Sequence, residues 1–348
     1  MVPTHLIIPH IEDPDGIIST ALILRNLYGQ GIEDEKIQIL FTDYKNQKAT
    51  FETAANQELQ NLETYVADLA AKDFIVTKDE ETGLSLAQKI KNQSGNFTWY
   101  DHHGDTKKNK PILEESNVQV HYQDNTCTAR IIFNQLEKTN PADTYADLIS
   151  KISQSHDYAG SIQDNSLTKL GIDLQGIITL LNFEQNEQHL LEITKRIAKG
   201  RDTWLSNTSI DLVGDVLDLS NEYKQQAKNA MREMEQSIEQ ITLQNGYTIT
   251  TALASDILPP KDAPRHFREN FSDNGDGYLL FFSGKRQAAF FFKNYNSQFS
   301  PQEFCTLMGG GGREGDGAFN LPFEINNQKN YKHAKNIIFG RLNKFLEK

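Results

Sequence analysis

The sequence predicts an α/β protein whose first part is a doubly wound, mostly parallel sheet. Short apolar segments suited to buried strands, such as residues 4–10 and 36–42, alternate with segments of helical periodicity over the first 160 residues. Strands that alternate with helices of this length are typical of a parallel sheet covered on both faces. The pattern then becomes mostly helical, and strand-like segments return from about Gly246. These later strands predict a smaller second α/β domain.

Each predicted element has its own segment. Strands are predicted at residues 4–10, 36–42 and 96–103, and within 63–70 a strand that ends near Asp68, with helices at 15–29, 51–62 and 82–95. In the second domain we expect strands at 246–255 and 278–295, a helix at 300–308, a glycine-rich loop at 309–317 and a C-terminal helix from about residue 332.

The changes of pattern also predict the domain boundaries. Residues 1–195 form the first domain, residues 196–245 a helical linker, and residues 246–348 the smaller domain. The linker contains one stripe of apolar residues at helical spacing, which predicts core packing and not a ligand site. This stripe consists of Ala227, Met231, Met234, Ile238 and Ile241.

The composition is that of a globular protein: 38% of the 348 residues are hydrophobic and 24% are charged. No apolar run approaches the ~20 residues that span a bilayer, and the N-terminus lacks the features of a signal peptide. Cys127 and Cys305 provide neither a disulfide framework nor zinc-site spacing. We therefore expect a cytoplasmic protein with no membrane partner.

The net charge of −12 argues against binding of long nucleic acid, which requires many basic residues. From Tyr247 onward the chain has 13 Lys and Arg against 10 Asp and Glu, whereas the preceding residues have 22 against 37. This asymmetry suits a cation site in the first part and an anionic substrate near the second. Ordinary surface variation explains the charges alone equally well.

Acidic and histidine residues lie at the ends of three predicted strands: His10, Asp13 and Asp15 follow the first, Asp68 ends the third, and Asp101, His102 and His103 end the fourth. The carboxyl ends of parallel strands meet at one edge of the sheet, where ligands bind. Clustered carboxylates repel one another unless cations neutralise them. Asp and His without thiolates suit Mn²⁺ first, with Mg²⁺, Fe²⁺ or Zn²⁺ as alternatives. This number of donors suits two ions about 3.5–4 Å apart.

Four ordered motifs, "DPDG", "VADLA", "DHH" and "SHDYAG", together resemble those of the DHH phosphoesterase superfamily. The segment "LMGGGGREGDGAF" is similar to the accessory domain called DHHA1. The resemblance covers most of the chain. It implies a DHH domain joined by the helical linker to a DHHA1-like domain.

The resemblance also implies an activity, that of a metal-dependent phosphodiesterase similar to oligoribonucleases of the nanoRNase type. Such an enzyme hydrolyses short RNA or DNA oligonucleotides, or linear or cyclic dinucleotides, to nucleoside monophosphates by a two-metal mechanism. The alternatives are a phosphomonoesterase for nucleotides such as 3′-phosphoadenosine 5′-phosphate, and a nucleotide sensor without catalysis. The oligomeric state is open, and a homodimer is compatible with the sequence.

The resemblance implies roles for individual residues. Two metal sites would share Asp68: the first with His10 and Asp13, the second with Asp15, His102 and Asp157. Asp101 would orient a neighbouring imidazole, and His103 would face the substrate phosphate. The implied catalytic set is therefore Asp68, Asp101, His102 and His103.

Two of these assignments have alternatives nearby. Asp43 also follows a predicted strand and could replace Asp68 as a ligand. His156 is adjacent to Asp157 and could replace it.

The first motif leaves two further questions. Asp13 and Asp15 could be turn and helix-cap residues around Pro14. His10 lies three residues before Asp13, whereas many relatives have four, and a one-residue change reverses the face of a strand. A bend at Pro9 or an irregular strand end would bring His10 into the site.

Substrate-binding residues are predicted in the second domain. Relatives carry histidine after the glycines, in a "GGGH" pattern, whereas this chain has Arg313 there. The backbone N–H groups of the glycines can cradle an anion, and arginine adds a permanently charged contact. A plain flexible turn is the alternative. The candidates are Gly310, Gly311, Gly312 and Arg313, with Arg265 and Arg286 as further residues that grip the nucleotide.

Overall fold

The computed structural model describes residues 2–57, 61–138, 143–158, 164–206, 209–244, 246–258, 266, 270, 276–284, 287–292, 301–313 and 316–346. The chain divides into two compact units, Met1–Asn221 and Glu222–Lys348. The predicted boundaries after residues 195 and 245 stay a prediction. None of the described helices is long and apolar enough to cross a membrane.

The first unit is built on a five-stranded parallel sheet in the order β2-β1-β3-β4-β5. The strands are β1 His5–Pro9, β2 Ile37–Ile39, β3 Leu62–Ala67, β4 Ser94–Asp101 and β5 Gln119–Tyr122. Successive crossovers leave β1 toward both sides of the sheet, which makes it doubly wound, and the predicted fold class is confirmed. The edge strand β5 was not predicted.

Helices cover both faces of this sheet. They are α1 Pro14–Gly29, α2 Gln47–Ala55, α3 Asp73–Val76, α4 Leu86–Gln93, α5 Gly104–Glu115, α6 Thr128–Leu136, α7 Thr144–Asp157, α8 Asn165–Phe183 and α9 Glu187–Lys199. The next helix, α10 Gly214–Gln236, begins in the first unit and ends in the second. Alternate strand residues point to opposite faces. Ile7 and Tyr100 therefore join the apolar layer under α1 and α6, whereas Ile8 and Trp99 join the layer under α2 and α4.

The second unit has a six-stranded mixed sheet in the order β10-β11-β9-β8-β7-β6. Its elements are β6 Glu239–Thr242, β7 Thr248–Ala254, β8 Gly277–Phe282, β9 Gln287–Phe292, α11 Pro301–Leu307, β10 Gly311–Arg313, β11 Asp316–Asn320 and α12 Gln328–Leu346. Aromatic side chains, among them Phe290, Phe304 and Phe319, form its core.

Two local predictions in this part of the chain were wrong. The stripe predicted to continue through Ile238 and Ile241 ends with α10 at Gln236, and Ile241 lies in β6 opposite Ile249. Spacings of three residues do not distinguish a helix from a turn followed by a strand. The predicted glycine-rich loop contains strand β10, which pairs with β11.

Candidate metal centre

The carboxyl ends of β1, β3 and β4 meet where the strand order reverses, the place where open α/β sheets bind ligands. Acidic and histidine side chains converge there. Three groups have potential ligand atoms within 4.8 Å of one another: His10, Asp13 and Asp68; Asp15, His102 and Asp157; and Asp68, Asp101, His102 and His103. All residues predicted as metal ligands are therefore brought together.

The first donor group forms around His10. Its Nδ1 atom lies 3.1 Å from Asp13 Oδ2 and 3.5 Å from Asp68 Oδ2. His10 follows the last residue of β1 and forms an isolated bridge with Thr42, and this irregular strand end accommodates the three-residue spacing. Asp13 also caps α1, since its Oδ1 accepts a hydrogen bond from Gly16 N at 3.1 Å. The cap and the donor group therefore use the same carboxylate.

Gly16 allows the first turn of α1 to lie against His10. A Cβ atom at position 16 would be 2.1 Å from the carbonyl oxygen of His10. Only glycine permits so close an approach of two backbone segments. The glycine of "DPDG" therefore places the donor residues on both sides of the turn in one group.

Asp15 is held by the start of a distant helix. Its carboxylate accepts hydrogen bonds from Thr128 N at 2.7 Å, Ala129 N at 2.9 Å and Ser153 Oγ at 2.6 Å. The first amides of α6 lie at the positive end of the helix dipole, which favours a negative charge. Cys127 is the N-cap residue of α6 without a side-chain cap, so this helix start is satisfied by Asp15.

His102 and Asp157 complete the second donor group. His102 Nε2 lies 3.8 Å from Asp15 Oδ2 and 3.7 Å from Asp157 Oδ2. Asp157 is the last residue of α7. The neighbouring His156 packs against Gly171 of α8 instead. The approach is close, since a Cβ atom added at Gly171 would lie 2.7 Å from the Cβ atom of His156. The geometry thus favours Asp157 over His156.

Asp68 joins the two groups. Its Oδ1 lies 3.3 Å from His102 Nε2, and its Oδ2 lies 3.5 Å from His10 Nδ1. Thr128 Oγ1 donates a hydrogen bond to Oδ1 at 3.1 Å. Asp68 is buried and adopts a φ of 60°, a left-handed backbone conformation that directly follows β3. The alternative ligand Asp43 belongs to none of the donor groups found among the described residues.

The electrostatics of the centre reflect crowded carboxylates. Burial and the charges of Asp15 and Asp13 raise the pKa of Asp68 to about 8. Burial opposes protonation of His102, but its hydrogen bond to Asp68 and the charge of Asp15 outweigh this and raise its pKa to about 11. Burial also opposes protonation of His10, but the charge and the hydrogen bond of Asp13 outweigh it and raise the pKa of His10. The site therefore favours positive charge among its carboxylates.

The donor atoms also fit the implied ions. Among the described residues, both ring nitrogens of His10 and the Oδ2 atom of Asp68 are buried without a hydrogen bond of good geometry. Buried polar atoms without partners are costly and rare. Imidazole nitrogens and carboxylate oxygens at these positions are ligands suited to Mn²⁺, Mg²⁺ or Fe²⁺.

The two adjacent histidines are held differently. His103 Nδ1 lies 2.6 Å from Oδ1 of the fully buried Asp101, and its Nε2 lies 3.1 Å from the Tyr44 hydroxyl. His102 Nδ1 lies 2.9 Å from the Tyr158 hydroxyl. Sequence reasoning missed both tyrosines. Tyr158 lies within the motif "SHDYAG". Nothing in the local sequence, however, pairs Tyr44 or Tyr158 with a histidine 59 or 56 positions away.

The residues predicted to bind substrate in the second unit form a hairpin. Gly311, Gly312 and Arg313 in β10 pair with Ala318, Gly317 and Asp316 in β11. A Cβ at Gly310 would lie 2.0 Å from the Ala318 carbonyl oxygen, so packing alone requires this glycine. Arg265 and Arg286 lie outside the described residues. The substrate role of the whole set stays a prediction.

No protein-family model matches the sequence, and no curated protein matches it either. Solved structures do. PggH, a pGpG-specific phosphodiesterase from Vibrio cholerae, is 11% identical over 97% of this chain and 98% of its own, with a TM-score of 0.54. The DHH domain of a member of the s1p family of ribosomal proteins is 14% identical over 97% and 87%, with a TM-score of 0.57.

An exonuclease RecJ bound to manganese is 12% identical over 97% of this chain and 89% of its own, with a TM-score of 0.56. Similarity at these identities concerns the three-dimensional arrangement of the chain. It agrees with the family resemblance inferred from the ordered motifs. The chain therefore has the fold of the DHH-domain proteins.

Proposed function

We propose that the protein is a metal-dependent hydrolase of phosphoric ester bonds, a phosphodiesterase that cleaves short oligonucleotides or linear or cyclic dinucleotides to nucleoside monophosphates. The observation that carries this proposal is the pair of donor groups joined by Asp68. A buried cluster of carboxylates and imidazoles at the switch point of the sheet is difficult to explain by stability alone.

The proposed cofactors are two divalent cations, Mn²⁺ first and Mg²⁺ or Fe²⁺ as alternatives. One ion would be held by His10, Asp13 and Asp68, and the other by Asp15, Asp68, His102 and Asp157. When bound, such a pair of ions stabilises charge on a phosphate and lowers the pKa of water.

The protein's own residues hold the donors in place. The α6 amides and Ser153 fix the Asp15 carboxylate through hydrogen bonds that require no ion. Tyr158 binds His102 Nδ1, which leaves Nε2 directed at the carboxylates. Partners of this kind commonly set the tautomer and orientation of a ligating histidine. Asp101 does the same for His103, which we propose faces the substrate phosphate.

Two considerations support a short nucleotide substrate. PggH is described as acting on pGpG and RecJ as an exonuclease, and both share the fold. The net charge of −12 disfavours long strands. The glycines Gly310 to Gly312 with Arg313, together with Arg265 and Arg286, are proposed to grip the nucleotide.

A substrate panel with Mn²⁺-reconstituted protein tests the proposal. We expect nucleoside monophosphates from a linear dinucleotide and from a five-nucleotide RNA, identified by chromatography. The Asp68→Asn and Asp101→Asn variants should lose about 10³-fold in turnover, whereas Asp73→Asn, at an exposed aspartate paired with Lys108, should not.

The panel also separates the alternatives. Turnover of 3′-phosphoadenosine 5′-phosphate alone would identify a phosphomonoesterase. Tight binding of a nucleotide without turnover would identify a sensor. Full activity of Asp68→Asn would show that the chemistry occurs elsewhere.

A further inference from the structure

Tyr44 contacts the candidate centre from its exposed side. The ring lies 4.9 Å from the His10 ring and 5.9 Å from the His103 ring, between centroids, and 38% of the residue is exposed. The ammonium group of Lys72 lies 5.5 Å from the ring centroid. The Tyr44 ring therefore lies on the exposed side of the centre, in contact with both His10 and His103.

The backbone before and after Tyr44 is fixed. Thr42 N donates a hydrogen bond to Pro9 O at 3.0 Å, and Ile11 N donates to Thr42 O at 3.0 Å. On the other side, Asp43 Oδ1 accepts a hydrogen bond from Asn46 N at 2.6 Å. The tyrosine ring is thus presented from a constrained turn whose position depends on the same strand end that carries His10.

The hydrogen bonds of His103 define its tautomer. A carboxylate only accepts hydrogen bonds, so Asp101 requires a proton on His103 Nδ1. On the other side of the ring, Nε2 lies 3.1 Å from the Tyr44 hydroxyl, within hydrogen-bonding distance. The nitrogen from which His103 could bind a metal is therefore covered by this hydroxyl.

His102 provides the contrast. Its Nδ1 also has a tyrosine partner, Tyr158, but its Nε2 faces the Asp68 carboxylate at 3.3 Å with no hydroxyl in between. His103 is close enough to Asp68 and Asp101 to belong to a potential ligand group with His102. Geometry alone therefore does not keep His103 from the metal ions.

We propose that Tyr44 is a positioning residue that keeps His103 apart from the metal ligands, because its hydroxyl contacts Nε2 and blocks this nitrogen from binding a metal ion. The inference rests on the proposed function, since it assumes that the centre binds divalent cations. It predicts that the two histidines respond to different tyrosines. Removing the Tyr44 hydroxyl frees Nε2 and adds His103 to the ligands.

Three Tyr→Phe variants test this division. Tyr44→Phe removes the partner of His103, Tyr158→Phe removes that of His102, and Tyr28→Phe removes a hydrogen bond to Asp34 outside the donor groups. In metal-free protein labelled with ¹⁵N-histidine, Tyr44→Phe should shift the Nε2 resonance of His103 alone. Tyr158→Phe should shift His102 alone, and Tyr28→Phe neither. The signals are assigned with His102→Gln and His103→Gln.

Pulsed electron paramagnetic resonance of the Mn²⁺-loaded proteins gives the second readout. The wild type and Tyr28→Phe should show two coupled imidazoles, and Tyr44→Phe should show a third. Tyr158→Phe should instead weaken Mn²⁺ binding about tenfold. With a dinucleotide substrate, kcat of Tyr44→Phe should fall about tenfold, whereas its Mn²⁺ affinity should not fall.

An unchanged His103 resonance in Tyr44→Phe, or the absence of a third coupled imidazole, overturns the proposal. A shift of both histidines in the same variant also overturns it, because it indicates a general structural change. Should the wild-type protein bind Mn²⁺ but hydrolyse no phosphodiester, the proposed function fails, whereas the resonance and coupling measurements still decide the role of Tyr44.

Discussion

Two regions carry the recognisable motifs: the polar cluster of the first unit and the glycine-rich hairpin of the second. Packing explains the residue types in the hairpin but not those in the cluster. In the hairpin, a Cβ at Gly310 would overlap Ala318 and one at Gly317 would lie 2.7 Å from Cys305 Sγ. In the cluster, burial leaves polar atoms of His10 and Asp68 without good hydrogen bonds. The fold accounts for the glycines, whereas the cluster contains buried polar atoms that a bound cation would satisfy.

The largest effect should come from Asp68→Asn. The variant should lose the thermal stabilisation that Mn²⁺ gives the wild type, about 2.7 kcal/mol when the free ion is at a hundred times its Kd. Without metal it should be at least as stable as the wild type, because a buried carboxylate near Asp13 and Asp15 is removed. Thermal denaturation with and without Mn²⁺ measures both. If Mn²⁺ stabilised the wild type and Asp68→Asn equally, Asp68 would not be a metal ligand, and the contrast between the cluster and the hairpin would be lost.

Gly16→Ala should affect fold and metal together. The added methyl group meets the His10 backbone at 2.1 Å, so we expect a loss of about 2.5 kcal/mol in the free energy of unfolding and weaker Mn²⁺ binding. Gly29→Ala is the matched control on the same helix, since its Cβ meets nothing within 4 Å. Urea denaturation and calorimetric titration report the two quantities. Unchanged Mn²⁺ affinity would show that His10 is not a ligand.

Gly310→Ala should act on stability alone. Its contact with the Ala318 carbonyl predicts a loss of about 2 kcal/mol, with Mn²⁺ affinity unchanged. Gly340→Ala in α12 has open space at its Cβ and should not destabilise the unit. A variant of normal stability with a raised KM for a dinucleotide would show that the hairpin, too, is reserved for a ligand.

The smallest effect concerns pH. Because the pKa of Asp68 is raised to about 8 and that of His102 to about 11, the folded metal-free protein binds more protons than the unfolded chain between pH 6.5 and 8. Its stability should therefore decline as the pH rises through this range, by about 1 kcal/mol more than that of Asp68→Asn. Urea denaturation across the range measures the slope. A stability that rises with pH would contradict the charge balance inferred for the cluster.

Much of the fold and of the cluster was predictable because both follow simple rules. Alternating strands and helices fix a parallel sheet, and acidic residues after successive strands must meet at its carboxyl edge. The choice of Asp68 over Asp43 was less certain. The structure separates them, since Asp43 hydrogen-bonds to Asn46 and Asp68 lies between His10 and His102.

The remaining features depend on long-range contacts or on weak local propensity. The edge strand Gln119–Tyr122 is only four residues long and contains polar residues, so it lacks an apolar run. Glycine has a low strand propensity, and β10 forms because β11 pairs with it. Tyr44 and Tyr158 meet their histidine partners only when the chain has folded, and no periodicity in the sequence indicates these contacts.

The hydrogen bonds of Asp15 have a consequence for synthesis on the ribosome. They join it to residues 113, 114 and 138 positions further along the chain. A nascent chain therefore cannot assemble the second donor group until α7 has emerged, long after the first strand and helix are exposed. Contacts of such separation form late and slowly. Acquisition of metal at this group would accordingly require synthesis of the chain through α7, and premature capture of an ion would be limited to the first group.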